Sequence, residues 1–373
     1  MKSRYPMGVI VFWLVGVLSQ PLWAAQSYTI EDISKDDTVK AVGPNLSGQT
    51  ATRAGFVSAN SYLSTPASTT KTAKVKQDSL GLLPGGEQLT ANGINDDGTV
   101  VGSANATSGS RPCYPAVAGL APAPICPVST VHAVIWTPTG GLVDLGTLPG
   151  DTASEAFGIN NQGAVVGYSS GPQGARGFLW TPKDGFTKLG TLSGGDFSKA
   201  RGISDNGDIV GSSGSLLGTH AVLWTNGNIV DLGLLTGDVT SDAFAINKKG
   251  AVVGHSSGPV GIRPFLWTAN GGMQLLPALP GGNPVSRAFG ITDNGDIVGS
   301  SGSFQGARAV LWSSNGGPAV DLNTLVSVPA GIVLMQAIGM NENGQILVLG
   351  RDQADIHGYH EGPNRSYLLT RLP

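Results

Sequence analysis

An all-β fold of repeated four-stranded units, arranged as a β-propeller, is predicted by three features of the 373-residue sequence. Trp136, Trp180, Trp224, Trp267 and Trp312 stand 44, 44, 43 and 45 residues apart. The motif Gly-Ile-Asn, a turn, then Val-Val-Gly occurs at 93–102 and 158–167, with relatives beginning at Gly202, Ala245, Gly290 and Gly339. Each unit holds four short apolar runs divided by Gly, Asn, Asp and Ser, and self-similarity at this period marks a stacked-repeat architecture.

The first residues stand apart from the repeats. Lys2 and Arg4 form a cationic start, an apolar run of twelve follows from Met7 to Leu18, and Pro21-Leu22-Trp23-Ala24-Ala25 supplies a break and small residues. Residues 1–25 read as a secretory signal peptide, too short to span a membrane comfortably. The mature chain, 26–373, is then exported, to the periplasm or beyond, with no membrane span. Cys113 and Cys126 are the only cysteines, and in an oxidising compartment they are expected to pair.

Within a unit, Gly-Ile-Asn and Val-Val-Gly are two strands joined by an Asn/Asp/Gly turn. The third run, Ala-Val-Leu-Trp-Thr in its fourth-unit copy, is apolar throughout, as a strand covered on both faces must be. The fourth, best seen at Val143 to Leu148, ends in a turn. A faint first copy at Gly43-Pro44-Asn45 brings the count to seven; six is the alternative if 38–83 is an irregular cap. Tyr28 to Ile33 resembles a fourth strand without its own first three, and the chain stops after a third strand at Arg365 to Thr370. The N-terminal strand is therefore expected to complete the last unit and close the ring.

The repeats also pair. Ser-Ser-Gly-Pro-Gln-Gly recurs 87 residues later as Ser-Ser-Gly-Pro-Val-Gly, so two units look duplicated together. Inserts at 104–131 and 352–364 both fall between a second and a third strand, on one face.

At these positions the chain resembles the secreted HAF-repeat family, named for a His-Ala-Phe tripeptide. It stands here as His132-Ala133-Val134 and His220-Ala221-Val222, and degenerates to Arg176-Gly177-Phe178, Arg263-Pro264-Phe265 and Arg308-Ala309-Val310. The resemblance covers nearly everything after the leader. It implies an extracytoplasmic repeat protein and brings with it no catalytic residues.

Charged residues are 13% of the chain, against about 25% in an average protein. The net charge of −3 gives nothing to attract nucleic acid, so no nucleic-acid partner is expected. No cofactor motif is present. His357, His360 and Glu361 lie in the last insert without a further ligand, and the Asp-Asn-Gly-Asp runs at Asp205 and Asp293 lack the ligand series of a calcium loop, so no metal is expected. The acids Glu87, Asp151, Asp196 and Asp238 recur in the turns entering the first strands and read as turn chemistry.

Four positions before each tryptophan stands a cationic or titratable residue: His132, Arg176, His220, Arg263 and Arg308, with Arg365 in the last unit. Cross-strand pairs are expected for His132–Asp144, His220–Asp231, Arg308–Asp321 and Arg365–Asp32. Lys188 and Leu275 occupy the partner positions of Arg176 and Arg263, which leaves these two arginines as the expected ligand contacts. The functional expectation is a non-catalytic scaffold that binds a polysaccharide, such as an anionic glycan, or a protein. A carbohydrate-active enzyme and an envelope structural protein are the alternatives.

Overall fold

A computed structural model of the chain describes residues 28–33, 40–53, 61–65, 76–112, 125–282, 285–304, 306–313, 316–352 and 365–372. The leader, Cys113 and with it the expected disulfide, and His357, His360 and Glu361 lie outside these residues.

Among the described residues, strands form seven four-stranded antiparallel sheets spanning 40–79, 89–146, 153–188, 198–233, 240–275, 287–321 and 332–371. The degenerate first unit is a sheet of its own. In the seventh, the fourth position is filled by Tyr28–Asp32, which lies antiparallel to Arg365–Arg371 with Tyr28 opposite Arg371. Tyr28 and Ile33 are buried there.

In the first six sheets strands follow chain order from the innermost outwards; in the seventh Ile332–Met340 is innermost and Tyr28–Asp32 outermost. Inner strands of successive sheets touch, and Lys40–Val42 of the first sheet touches Ile346–Asp352 of the last. The packing order is therefore cyclic. No helix among the described residues is long and apolar enough to cross a membrane.

The core lies between sheets. In the third strand Gly218–Thr225, five successive residues from His220 to Trp224 are buried, because each sheet has a neighbour on both faces. The two-unit period has a packing cause. Phe178 and Phe265 are fully buried in the third and fifth sheets, where Trp180 and Trp267 are only partly so. The fourth and sixth sheets place the small Val222 and Val310 at the Phe position and bury Trp224 and Trp312 instead. In these four sheets one large aromatic fills each layer, from alternating positions. The indole N–H groups are satisfied: Trp224 Nε1 donates to Gly190 O at 3.0 Å, and Trp312 Nε1 to Pro277 O at 2.7 Å.

The 104–131 insert is not a loop throughout. Its flanks continue the ladder, with Ala104 opposite His132 and Pro112 opposite Ile125, so the hairpin Val100–Pro112 and Ile125–Thr137 rises above its neighbours.

Candidate functional site

Six of the seven inner strands carry a register shift at one place, just before the Gly-Ile-Asn motif: Asn92, Phe157, Arg201, Phe244, Phe289 and Ile338 are the extra residues. A β-bulge re-aims the side chain of its extra residue. Here it sends that side chain towards the centre of the cyclic array. The glycine of Val-Val-Gly makes room for it: a Cβ on Gly167 would run into the Glu155 carbonyl across the bulge. The glycine of Gly-Ile-Asn allows the next sheet to approach, its missing Cβ lying 2.7 Å from Phe157 O at Gly93 and 2.8 Å from Phe244 O at Gly202.

The repeats thus stack residue types in layers along the axis. Below the bulged residues comes a collar of Pro44, five isoleucines and Met340, then the Asn-type turn residues, then a charged layer. A cavity of about 660 Å³ lies between the bulged layer and the collar, walled by Phe244, Phe289, Ile338, Leu349 and the collar. Its mouth faces the second-to-third-strand connections, the side that carries both inserts.

At one side of this mouth the bulged residues make an aromatic and ionic arc. The Arg201 guanidinium lies between two rings, 5.6 Å from the centroid of Phe157 and 5.3 Å from that of Phe244. It also holds Asp242, with Nε and Nη2 both 2.9 Å from Oδ2. Phe244 stacks at a tilt on Phe289 at 5.7 Å and on His255 at 5.2 Å. Phe157 stacks on Tyr168 at 5.8 Å, and Lys199 Nζ lies 4.6 Å above the Tyr168 ring. Burial, reinforced by the charge of Glu155 and a hydrogen bond to it, pushes the Tyr168 phenol up to about 12. His255 is held below its ordinary pKa, chiefly by burial and then by Arg287 and Arg201, against the pull of Asp242. It is a neutral imidazole whose buried Nδ1 has no partner among the described residues.

At the far end of the axis neighbouring sheets are tied together by side chains one motif apart. Asn45, Asn95 and Asn160 donate through Nδ2 to the carbonyls of Asn95, Asn160 and Ser204, Asn247 to Thr292, and Asn341 back to Asn45. Ser and Thr at 204 and 292 are too short to reach onward. The next layer repeats the device with backbone N–H donors, from Leu46 to Asp96, Asp96 to Asn161, Asn161 to Asp205, Lys248 to Asp293 and Asp293 to Glu342. Lys248 Nζ bridges Asp205 at 3.1 Å and Asp293 at 3.2 Å. Both Asp-Asn-Gly-Asp runs are thus hairpin turns within this layer.

The four expected pairs are all brought together: His132–Asp144 and His220–Asp231 at 2.8 Å, Arg308–Asp321 at 3.8 Å and Arg365–Asp32 at 3.1 Å. The contacts are diagonal. Asp144 and Asp231 lie opposite Val134 and Val222, with a register shift beside each.

Arg176 and Arg263 are not free, contrary to the expectation. Arg263 binds Asp238, whose side chain is fully buried, at 2.8 Å, and donates to Thr236 O. Arg176 donates to the carbonyls of Ala175 and Asp196. The strand opposite offers them nothing, since Lys188 faces Phe178 and Leu275 faces Phe265. A guanidinium on a long stem reaches instead to the turns entering the inner strands. The acid at Asp238 is thereby both turn residue and counter-ion.

The arc was missed in the sequence because an inner strand looks half-buried and regular there. Its one signal is the residue before each Gly-Ile-Asn, which varies from Asn to Phe to Arg inside an otherwise uniform motif.

No family model matches the chain, and no curated protein matches it in sequence. Solved structures do match in shape. A virginiamycin B lyase from Staphylococcus aureus has a TM-score of 0.53 at 12% identity, over 92% of this chain and 99% of its own. A streptogramin B lyase gives 0.52 at 10%, over 93% and 98%. A chain of the mitotic checkpoint complex gives 0.50 at 10%, over 97% and 98%. At such identities the likeness is one of fold alone, and that fold is the β-propeller.

Proposed function

We propose that the chain is an exported, seven-bladed β-propeller of HAF-repeat type, closed by its N-terminal strand, that works as a non-catalytic binding scaffold. Its binding end is the mouth framed by the bulged residues. The observation that carries this reading is a run of bulges bearing Phe157, Arg201, Phe244 and Phe289 in succession: Phe244 and Phe289 line one cavity with the bulged Asn92 and Ile338, and Arg201 and Phe157 continue the arc from Phe244. A fold that only needed to close would gain nothing from aromatic and guanidinium groups aimed at its axis, whereas a recognition site needs them. Leu216, Leu217 and Phe304, each more than four-fifths exposed, stand on hairpin tips of the same face and extend the surface available to a protein partner. A Cys113–Cys126 bridge would stiffen the tall hairpin beside the mouth.

Catalysis at the same mouth is the second reading, and His255 favours it. A neutral imidazole with an unpartnered Nδ1, beside two arginines, has the form of a general base.

Thermal unfolding of the mature protein against a panel of oligosaccharides, peptides and small organic molecules tests both. A ligand present at 100 times its Kd stabilises by about 2.7 kcal/mol. Stabilisation lost in Phe244→Ala, with the ligand recovered intact by mass spectrometry, supports the scaffold. A ligand recovered in altered form supports the enzyme. Stabilisation unchanged in Phe244→Ala places the binding end elsewhere and overturns the reading.

A further inference from the structure

We propose that the axial cavity takes a small amphipathic organic anion, with its apolar body in the shaft against Phe244 and Phe289 and its anionic group at Arg287. This rests on the reading that the mouth is the binding end.

The wall sets the body of the ligand. Among the described residues, Asn92 and Gln336 are the only polar side chains that line the 660 Å³ cavity, and the rest of its surface is hydrocarbon or backbone. A polyhydroxylated solute seated there would find only two polar side chains and scattered backbone groups for its hydroxyls, at a cost of about 1–3 kcal/mol for each group left unpaired. An apolar body loses nothing and gains about 25 cal/mol for each Å² removed from water. The volume suits a small molecule rather than a folded segment.

The charges set the head. Arg201 is matched by Asp242, and Lys199 lies over Tyr168 next to Glu155. Arg287 has no acidic partner among the described residues, and it precedes Phe289 by two positions on the same inner strand, Arg287–Ile291. It is near enough to His255 for its charge to act on the imidazole. One uncompensated cation thus stands at the edge of an apolar shaft. The opposite mouth repels the same head: Asp96, Asp205, Asp293 and Glu342 surround the single Lys248. An anionic ligand is therefore held with its charge at the bulged end and cannot pass through.

Two dyes of the same aromatic skeleton separate body from head: 1-anilinonaphthalene-8-sulfonate and its uncharged counterpart N-phenyl-1-naphthylamine. Each is titrated by fluorescence into the folded mature chain, whose near-ultraviolet circular dichroism is recorded at every point. The sulfonate is expected to bind one per chain, with affinity lowered about tenfold in Arg287→Gln. The uncharged dye is expected to bind the same site and to be indifferent to Arg287→Gln. Arg287→Gln alters a partly exposed rim residue and leaves the core intact, so the comparison stands even if Phe244→Ala unfolds. Failure of both dyes to bind at one per chain overturns the proposal, as does an equal response of both to Arg287→Gln. A neutral, polar ligand from the thermal panel that depends on Phe244 would overturn it while leaving the scaffold reading in place.

Discussion

The Asn341 side-chain amide donates to the Asn45 carbonyl at 2.6 Å, across 296 residues of chain. Both residues are buried. This bond joins the last inner turn to the first, as the corresponding amides of Asn45, Asn95 and Asn160 join neighbouring turns.

Asn341→Ala is expected to destabilise the protein by about 1–3 kcal/mol, because it removes the bond to the Asn45 carbonyl and strips the N–H groups of Asn343 and Gln345 of the Oδ1 they donate to. Asn343 makes an analogous bond to Leu46 O in an exposed position, and Asn343→Ala should stay within about 0.5 kcal/mol of wild type. Urea unfolding midpoints compare the two. Removal of residues 28–33 should abolish cooperative unfolding altogether, since it strips the strand that covers Arg365–Arg371.

Gly167→Ala should cost about 1–3 kcal/mol or more, because the new methyl meets the Glu155 carbonyl rather than a side chain that can move. Gly163 lies in a turn at φ 77° with open space around it, and Gly163→Ala should cost about 1 kcal/mol through the backbone alone. Only the first should also weaken ligand binding, since it disturbs the bulge that presents Phe157. Thermal melts and binding titrations on both variants check this.

Arg263→Ala strands the fully buried Asp238 carboxylate and is expected to cost about 3–5 kcal/mol. Arg176→Ala gives up bonds to two carbonyls and should cost about 1 kcal/mol. A chemical denaturation series ranks them. The reverse order would mean that the Arg263–Asp238 pair is dispensable.

Because the folded protein holds His255 below the ordinary value of 6.5, the unfolded chain takes up a proton first as the pH falls. The contribution of neutral His255 is complete above pH 6.5 and is lost below it, down to the folded pKa. His255→Phe keeps a ring against Phe244 and removes the proton. Its stability should therefore fall less than that of wild type between pH 7.5 and 5, read from urea midpoints at each pH.

Much of the fold was legible because it is local and repeated. The Trp spacing, the turn residues and the continuous third strands specify sheets by short-range rules, and the His132–Asp144 pair follows from two residues facing across one hairpin. The site was harder to read for two physical reasons. A bulge shifts register by one residue, so Phe157 and Arg201 leave the face that strict alternation assigns them. The fates of Arg176 and Arg263 depended on turns 20 and 25 residues away along the chain, beyond the strand pairing used to find their partners.

Isothermal titration of the first ligand found in the thermal panel tests the placement of function most directly. It compares wild type with Phe244→Ala and with Arg176→Ala, each shown to be folded. Binding at the axial mouth predicts a loss of at least tenfold in Phe244→Ala and unchanged affinity in Arg176→Ala. Full affinity in Phe244→Ala, with loss in Arg176→Ala, would contradict it and move the site to the outer rim.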